Sequence, residues 1–100
     1  MVSSIRQWKE LDPKEQEALL DIRKNGPDCA KFLSRRIKMD LGETMKLLSN
    51  LEKAGWLKRV QGTFLFKRGF KKPKHMNHTY YELTRNGEKE LRFLARKGII

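Results

Sequence analysis

The chain holds one cysteine and three prolines, and between Lys53 and Tyr81 it has no aspartate or glutamate. Each shortage excludes something. A lone thiol, Cys29, closes no intramolecular disulfide, so the sequence predicts a reduced, intracellular setting. No apolar run approaches the roughly 20 residues that a membrane-spanning helix needs. The opening MVSSIRQWKE has no apolar segment of the kind that directs secretion, and a cytoplasmic, nucleoid-associated protein is the expectation. Internal repeats, low-complexity segments and interdomain linkers are not found. One hundred residues make one domain with a single modest core, and 38% hydrophobic content with nine aromatics (five Phe, two Trp, two Tyr) is enough to fold it.

Catalytic and metal-binding patterns are scarce as well. His75 and His78 are spaced to share a metal, but no carboxylate or thiolate beside them completes a ligand set. No glycine-rich phosphate loop and no Ser/His/Asp arrangement stands out. The sequence therefore predicts no enzyme, no metal and no cofactor.

What the chain has in excess is positive charge. Its formal net charge is +11 and its pI about 10.1, a balance that calls for a polyanionic partner. The cations are concentrated where the acids are missing, at Lys53, Lys58, Arg59, Lys67, Arg68, Lys71, Lys72 and Lys74, whereas Glu10, Asp12, Glu15, Glu17 and Asp21 crowd the first quarter. Such polarity suits a molecule that turns one face to nucleic acid. A lysine-rich surface kept for solubility or heat tolerance is the plainer alternative.

Local signals give the order of elements. In LDPKEQEALLDIRKNG, Asp12 caps a helix that has Pro13 in its first turn and Glu15 completing a capping box. Leu19 and Ile22 share its apolar face with Ala18 and Leu20 beside them, and Gly26 ends it. A second helix is expected in PDCAKFLSRRI, capped by Asp28, with Ala30, Leu33 and Ile37 at helical spacing and Cys29 half-buried. After a short KMD turn filled by Met39, a third helix opens with a capping box from Asp40 to Glu43. It turns Thr44, Leu47, Leu48 and Leu51 inward and stops at Gly55. Two helices separated by about three residues form a helix-turn-helix. The period then changes to two. Val60, Phe64 and Phe66 are in phase on one strand, with Gly62 as a bulge, and Tyr81 and Leu83 face inward on another. Thr84 caps a last helix whose Leu91 and Leu94 face the core. The fold class expected is α+β: three helices, a two-stranded hairpin wing and a C-terminal helix.

DLGETMKLLSNLEKAGWLKRV resembles the recognition helix and first wing strand of MarR-type winged-helix transcription regulators. HTYYELTRNGEKEL resembles the second wing strand and following helix of the same group, where a Leu-Thr-x-x-Gly pattern is usual. The similarity covers residues 12 to 95, and short archaeal winged-helix proteins are nearest in length. It implies DNA binding. The wing here is lysine-rich with Phe70 and Pro73, where MarR-type tips are rich in Asp and Arg, and the ends are short where those proteins dimerise through long terminal helices.

On this reading the domain spans residues 12–97, preceded by a segment 1–11 that serves dimerisation. The helix 41–54 enters the major groove and presents Gly42, Glu43, Lys46, Ser49, Asn50 and Lys53. Gly42 permits close approach of the backbone to a phosphate. Lys46 is suited to guanine or phosphate and Asn50 to adenine, while Glu43 serves as a cap. Arg35 and Arg36, on the preceding helix, are placed to reach phosphates or simply to be solvated. In the wing 67–78, Lys67, Lys71, Lys72 and Lys74 follow the phosphate backbone, Arg68 suits the minor groove, and Phe70 either packs on the sugar backbone or, the preferred reading, folds back to stiffen the hairpin. The ends supply Ile5 and Trp8 on one side and Phe93, Ile99 and Ile100 on the other as a homodimer surface. The partner expected is double-stranded DNA, with no membrane and no readable effector. The competing class is a winged-helix module that binds RNA or protein inside a transcription or ribosomal assembly.

Overall fold

A computed structural model describes residues 7–61 and 79–100. Its first long helix, α1 (Pro13–Asn25), begins where the sequence signals place it. The Asp12 carboxylate accepts the Glu15 N–H at 2.9 Å and the Glu15 carboxylate accepts the Asp12 N–H at 3.1 Å, so two otherwise orphaned donors are satisfied together. Gly26 closes it with φ at +87°, a conformation that favours glycine. Helix α2 (Ala30–Arg36) and helix α3 (Leu41–Lys53) follow. The turn between them passes through Lys38 at φ +53°, an unusual value for a residue with a side chain, and Met39 N–H donates back to the Ser34 carbonyl at 2.9 Å. The Asp40 carboxylate accepts the Glu43 N–H to start α3, and Gly55 follows its end with φ at +90°.

Strand β2 (Leu57–Gln61) pairs antiparallel with β3 (Thr79–Leu83) in the register Leu57↔Leu83 through Gln61↔Thr79. The chain ends in helix α4 (Arg85–Arg96), capped by Thr84, whose hydroxyl accepts the Gly87 N–H at 2.9 Å. Among the described residues the sheet has a third strand that the hairpin expectation lacked. This is β1 (Asp28–Cys29), paired antiparallel with β3 so that β3 is central. Asp28 is therefore not the cap of α2. Cys29 holds that position without a side-chain bond, while Asp28 accepts the Cys29 N–H and turns to Arg36.

A central strand is covered on both faces, and the core divides accordingly. Trp56, wholly buried, sits in a main cluster with Leu19, Leu33, Ile37, Leu48, Leu51, Leu57, Tyr81 and Leu91. On the other face Cys29, Val60 and Tyr80 form a small second cluster with Phe32 against it. Cys29 is thus fully buried rather than half-buried, and burial pushes the Tyr80 hydroxyl pKa up. Leu20, expected beside the apolar face of α1, is exposed. Phe64, Phe66 and Gly62 lie outside the described residues.

Candidate nucleic-acid interface

The face of α3 follows from its period. Thr44, Leu47, Leu48 and Leu51 are buried, which fixes the rotation of the helix and leaves the opposite side to solvent. Thr44 pays no unsatisfied-hydroxyl penalty because it donates to the Asp40 carbonyl at 2.8 Å. Gly42, Glu43, Lys46, Asn50 and Lys53 are exposed, and Ser49 is half-buried. These six predicted residues therefore share the open flank of one helix. The side chains of Lys46, Asn50 and Lys53 make no hydrogen bond or ion pair with another described residue.

Gly42 carries further information. A Cβ built there would meet one Asp40 carboxylate oxygen at 3.2 Å, the same oxygen that accepts the Glu43 N–H to cap α3. No backbone atom outside the helix itself crowds the position, so a side chain there would press only on that cap.

Exposed cations also stand on the elements packed against α3. Arg35 of α2 is exposed, its guanidinium 6.0 Å from the centre of the Phe32 ring. On β2, Arg59 donates to Glu52 at 2.9 Å and Lys58 lies 3.6 Å from Glu82, the residue opposite it in register. Both side chains remain 60% exposed, so each pairing leaves its charge accessible. The hydrogen bond from Arg59 to Glu52 raises the arginine pKa.

Arg36 departs from the expectation that it faces phosphate. Its guanidinium bonds Asp21 of α1 at 2.7 Å and 3.0 Å and also reaches Asp28 of β1, joining three elements. Those hydrogen bonds raise the Arg36 pKa, Asp21 foremost. For Asp21, burial opposes the charge, but the bonds from Arg36 and Asn25 prevail and hold the carboxyl below 3.8. Two neighbouring arginines thus have different work: Arg35 is open, and Arg36 is engaged in the fold.

The wing residues Lys67, Arg68, Lys71, Lys72 and Lys74, with Phe70, His75 and His78, lie outside the described residues, as does Ile5. What is described is the base of the wing. Thr84 donates from its hydroxyl to the Gly55 carbonyl at 2.7 Å and from its N–H to the Trp56 carbonyl at 2.9 Å, tying α4 to the end of α3. Of the predicted dimer residues, Trp8 packs edge-on against Trp56 with ring centres 6.0 Å apart, and Ile100 packs against the main core. Phe93 and Ile99 are exposed by 51% and 56%.

Sequence reasoning missed Leu41 and Met45, which stand exposed on α3 beside the polar positions. The signal was present: both lie off the Thr44–Leu47–Leu48–Leu51 stripe. Among the described residues no group of three or more His, Cys, Asp or Glu is placed to hold a metal ion, and no helix is long and apolar enough to cross a membrane.

A family model described as an uncharacterized protein conserved in archaea, DUF2250, matches residues 9–94. A search of curated proteins finds no match. Solved structures do match. A probable transcriptional regulator from Pseudomonas aeruginosa is 24% identical with a TM-score of 0.69, covering 88% of this chain and 59% of that one. Streptococcus pneumoniae FabT in complex with DNA is 22% identical with a TM-score of 0.70, over 93% and 58% of the two chains. A MarR mutant from E. coli complexed with operator DNA is 18% identical with a TM-score of 0.69, over 88% and 56%. At such identities the likeness speaks to the fold, which is the winged helix of MarR-type regulators. The chain spans a little over half the length of the solved structures it matches.

Proposed function

The chain belongs to the archaeal family DUF2250, and on that footing we propose that it is a double-stranded-DNA-binding transcription regulator. The observation that carries this reading is the open face of α3. Lys46, Asn50 and Lys53 stand exposed, with side chains unengaged by other described residues, on a helix whose opposite side is locked into the core. In this fold that helix is the one shaped to enter a major groove, where lysine suits guanine or phosphate and asparagine suits adenine. Gly42, exposed and without a side chain, admits a phosphate to the first turn of α3. Glu43 is the cap-proximal residue, and Ser49 edges the reading surface. Arg35 serves as a phosphate contact from α2. Lys67, Lys71, Lys72 and Lys74 extend the contact along the backbone, and Arg68 reaches the minor groove; these wing roles rest on the sequence alone. Two of the matched solved structures, FabT and the MarR mutant, hold DNA, which supports the same reading.

The working unit is a homodimer. Phe93 and Ile99 leave an apolar surface at the outer end of α4 that a two-fold partner would cover; the part given to Ile5 rests on the sequence alone. Trp8 and Ile100 contribute by stiffening that end of each protomer. Such a dimer sets two recognition helices about one turn of DNA apart.

Titration of duplex DNA, single-stranded DNA and a structured RNA at two salt concentrations tests the proposal. Duplex DNA is expected to bind tightest, with an affinity that falls steeply as salt rises. Preference for the RNA, or no binding to any of the three, would overturn it.

A further inference from the structure

The exposed flank of α3 is not wholly polar. Leu41 is 46% and Met45 57% exposed, four residues apart and hence stacked as a short apolar ridge. The core does not use them, since Leu47, Leu48 and Leu51 already fill the inward stripe. The ridge borders a groove of about 460 Å³ shared with Ala30 and Lys31 of α2, Ser49, Arg59 of β2 and Tyr81 of β3. Among the described residues the lining includes no carboxylate, and Lys31 and Arg59, the latter bonded to Glu52 but 60% exposed, stand in it. An apolar contact fringed by cations fits a partner that offers an apolar group between anions. A second copy of this chain, carrying the same net +11, would set cation against cation. The major groove of DNA has the complementary pattern: the thymine C5 methyl is its apolar group, and phosphates border it on both sides.

We infer that Leu41 and Met45 read a thymine methyl group, so that the target sequence carries an A·T pair under the first turns of α3. This inference rests on the duplex-DNA reading above and adds what the helix selects. Lys46 and Asn50 supply hydrogen bonds to neighbouring base edges, while the ridge rejects cytosine at its own position because cytosine has no methyl to bury.

The test begins with duplexes selected from a random library by the full chain. Each thymine of the selected sequence is then replaced singly by deoxyuridine, which removes the methyl and keeps the pairing. In each half-site one replacement is expected to weaken binding about four-fold, the worth of one buried methyl group. Met45→Ala should erase the penalty at that base and leave the other positions as they were. The uracil scan uses the unaltered protein, so its outcome does not depend on how a variant folds. Silence of every uracil replacement overturns the inference and leaves the DNA reading intact. A library that yields no enriched duplex overturns both. Altered sedimentation of Met45→Gln without DNA would show that a second copy covers the ridge, and would overturn the inference also.

Discussion

Gly87 illustrates how much one hydrogen atom decides. A Cβ at this position would lie 2.6 Å from the Trp56 carbonyl oxygen, a backbone atom that also accepts the Thr84 N–H. That oxygen has no side-chain freedom with which to retreat. Gly87→Ala is therefore expected to destabilise the fold by about 1–3 kcal/mol, by forcing α4 away from the end of α3. Gly42→Ala is the counterpart, because its Cβ meets only the Asp40 carboxylate. Its stability should stay within about 1 kcal/mol of the parent chain while affinity for duplex DNA falls. Denaturant melts of both variants, with a duplex titration of the second, check the pair. Equal destabilisation by the two substitutions would mean that Gly42 is also a packing residue.

Between elements, the Arg36 clamp joins α1 to β1 through two carboxylates. Hydrogen bonds from Arg36 and Asn25 hold the Asp21 pKa below its ordinary 3.8, so the folded state prefers the charged carboxylate more than the unfolded chain does. The stabilisation is complete above that ordinary value and is lost as pH falls through the lowered folded pKa. Asp21→Asn should therefore cost about 1 kcal/mol near neutral pH, a figure kept small because Arg36 is partly solvated. The gap between variant and parent should close as the pH falls well below 3.8. Melts across that range measure it, and a gap independent of pH would assign the effect to packing.

The same clamp shows where sequence reading stops. Helix ends were legible because their chemistry is local: Asp12 with Glu15, Asp40 before α3, Thr84 before α4, and Gly26 and Gly55 at left-handed positions. The inward stripe of α3 and the exposed polar positions it implies were legible for the same reason, since four buried residues fix a helix's rotation. Strand β1 was not. Its two residues have no period of their own, and it exists because Tyr80 and Tyr81 pair with it across the sheet. Reading Asp28 as a cap and Arg36 as a phosphate contact followed from that omission, because their true partners come from distant segments. Tyr80 was missed as core for a related reason: alternation describes a strand with one wet face, and here both faces of β3 are covered; Trp56, in the bend between α3 and β2, belongs to no periodic run.

At the scale of the whole molecule, the proposed function rests on two surfaces, the exposed polar face of α3 and the apolar outer end of α4. Sedimentation of the intact protein against a Phe93→Ala/Ile99→Ala variant tests the second. The parent chain is expected to be dimeric at tens of micromolar without DNA and the variant monomeric, with α4 still folded because Leu91 and Leu94 hold it to the core. A parent chain that stays monomeric would contradict the preformed dimer. The central claim, that α3 reads DNA sequence, is met most directly by comparing Lys46→Ala and Asn50→Ala on a selected duplex and on random duplex. Each substitution is expected to cost about 1–3 kcal/mol on the selected duplex and much less on the random one. Equal losses on both would show that these residues touch only phosphates, and would contradict the claim.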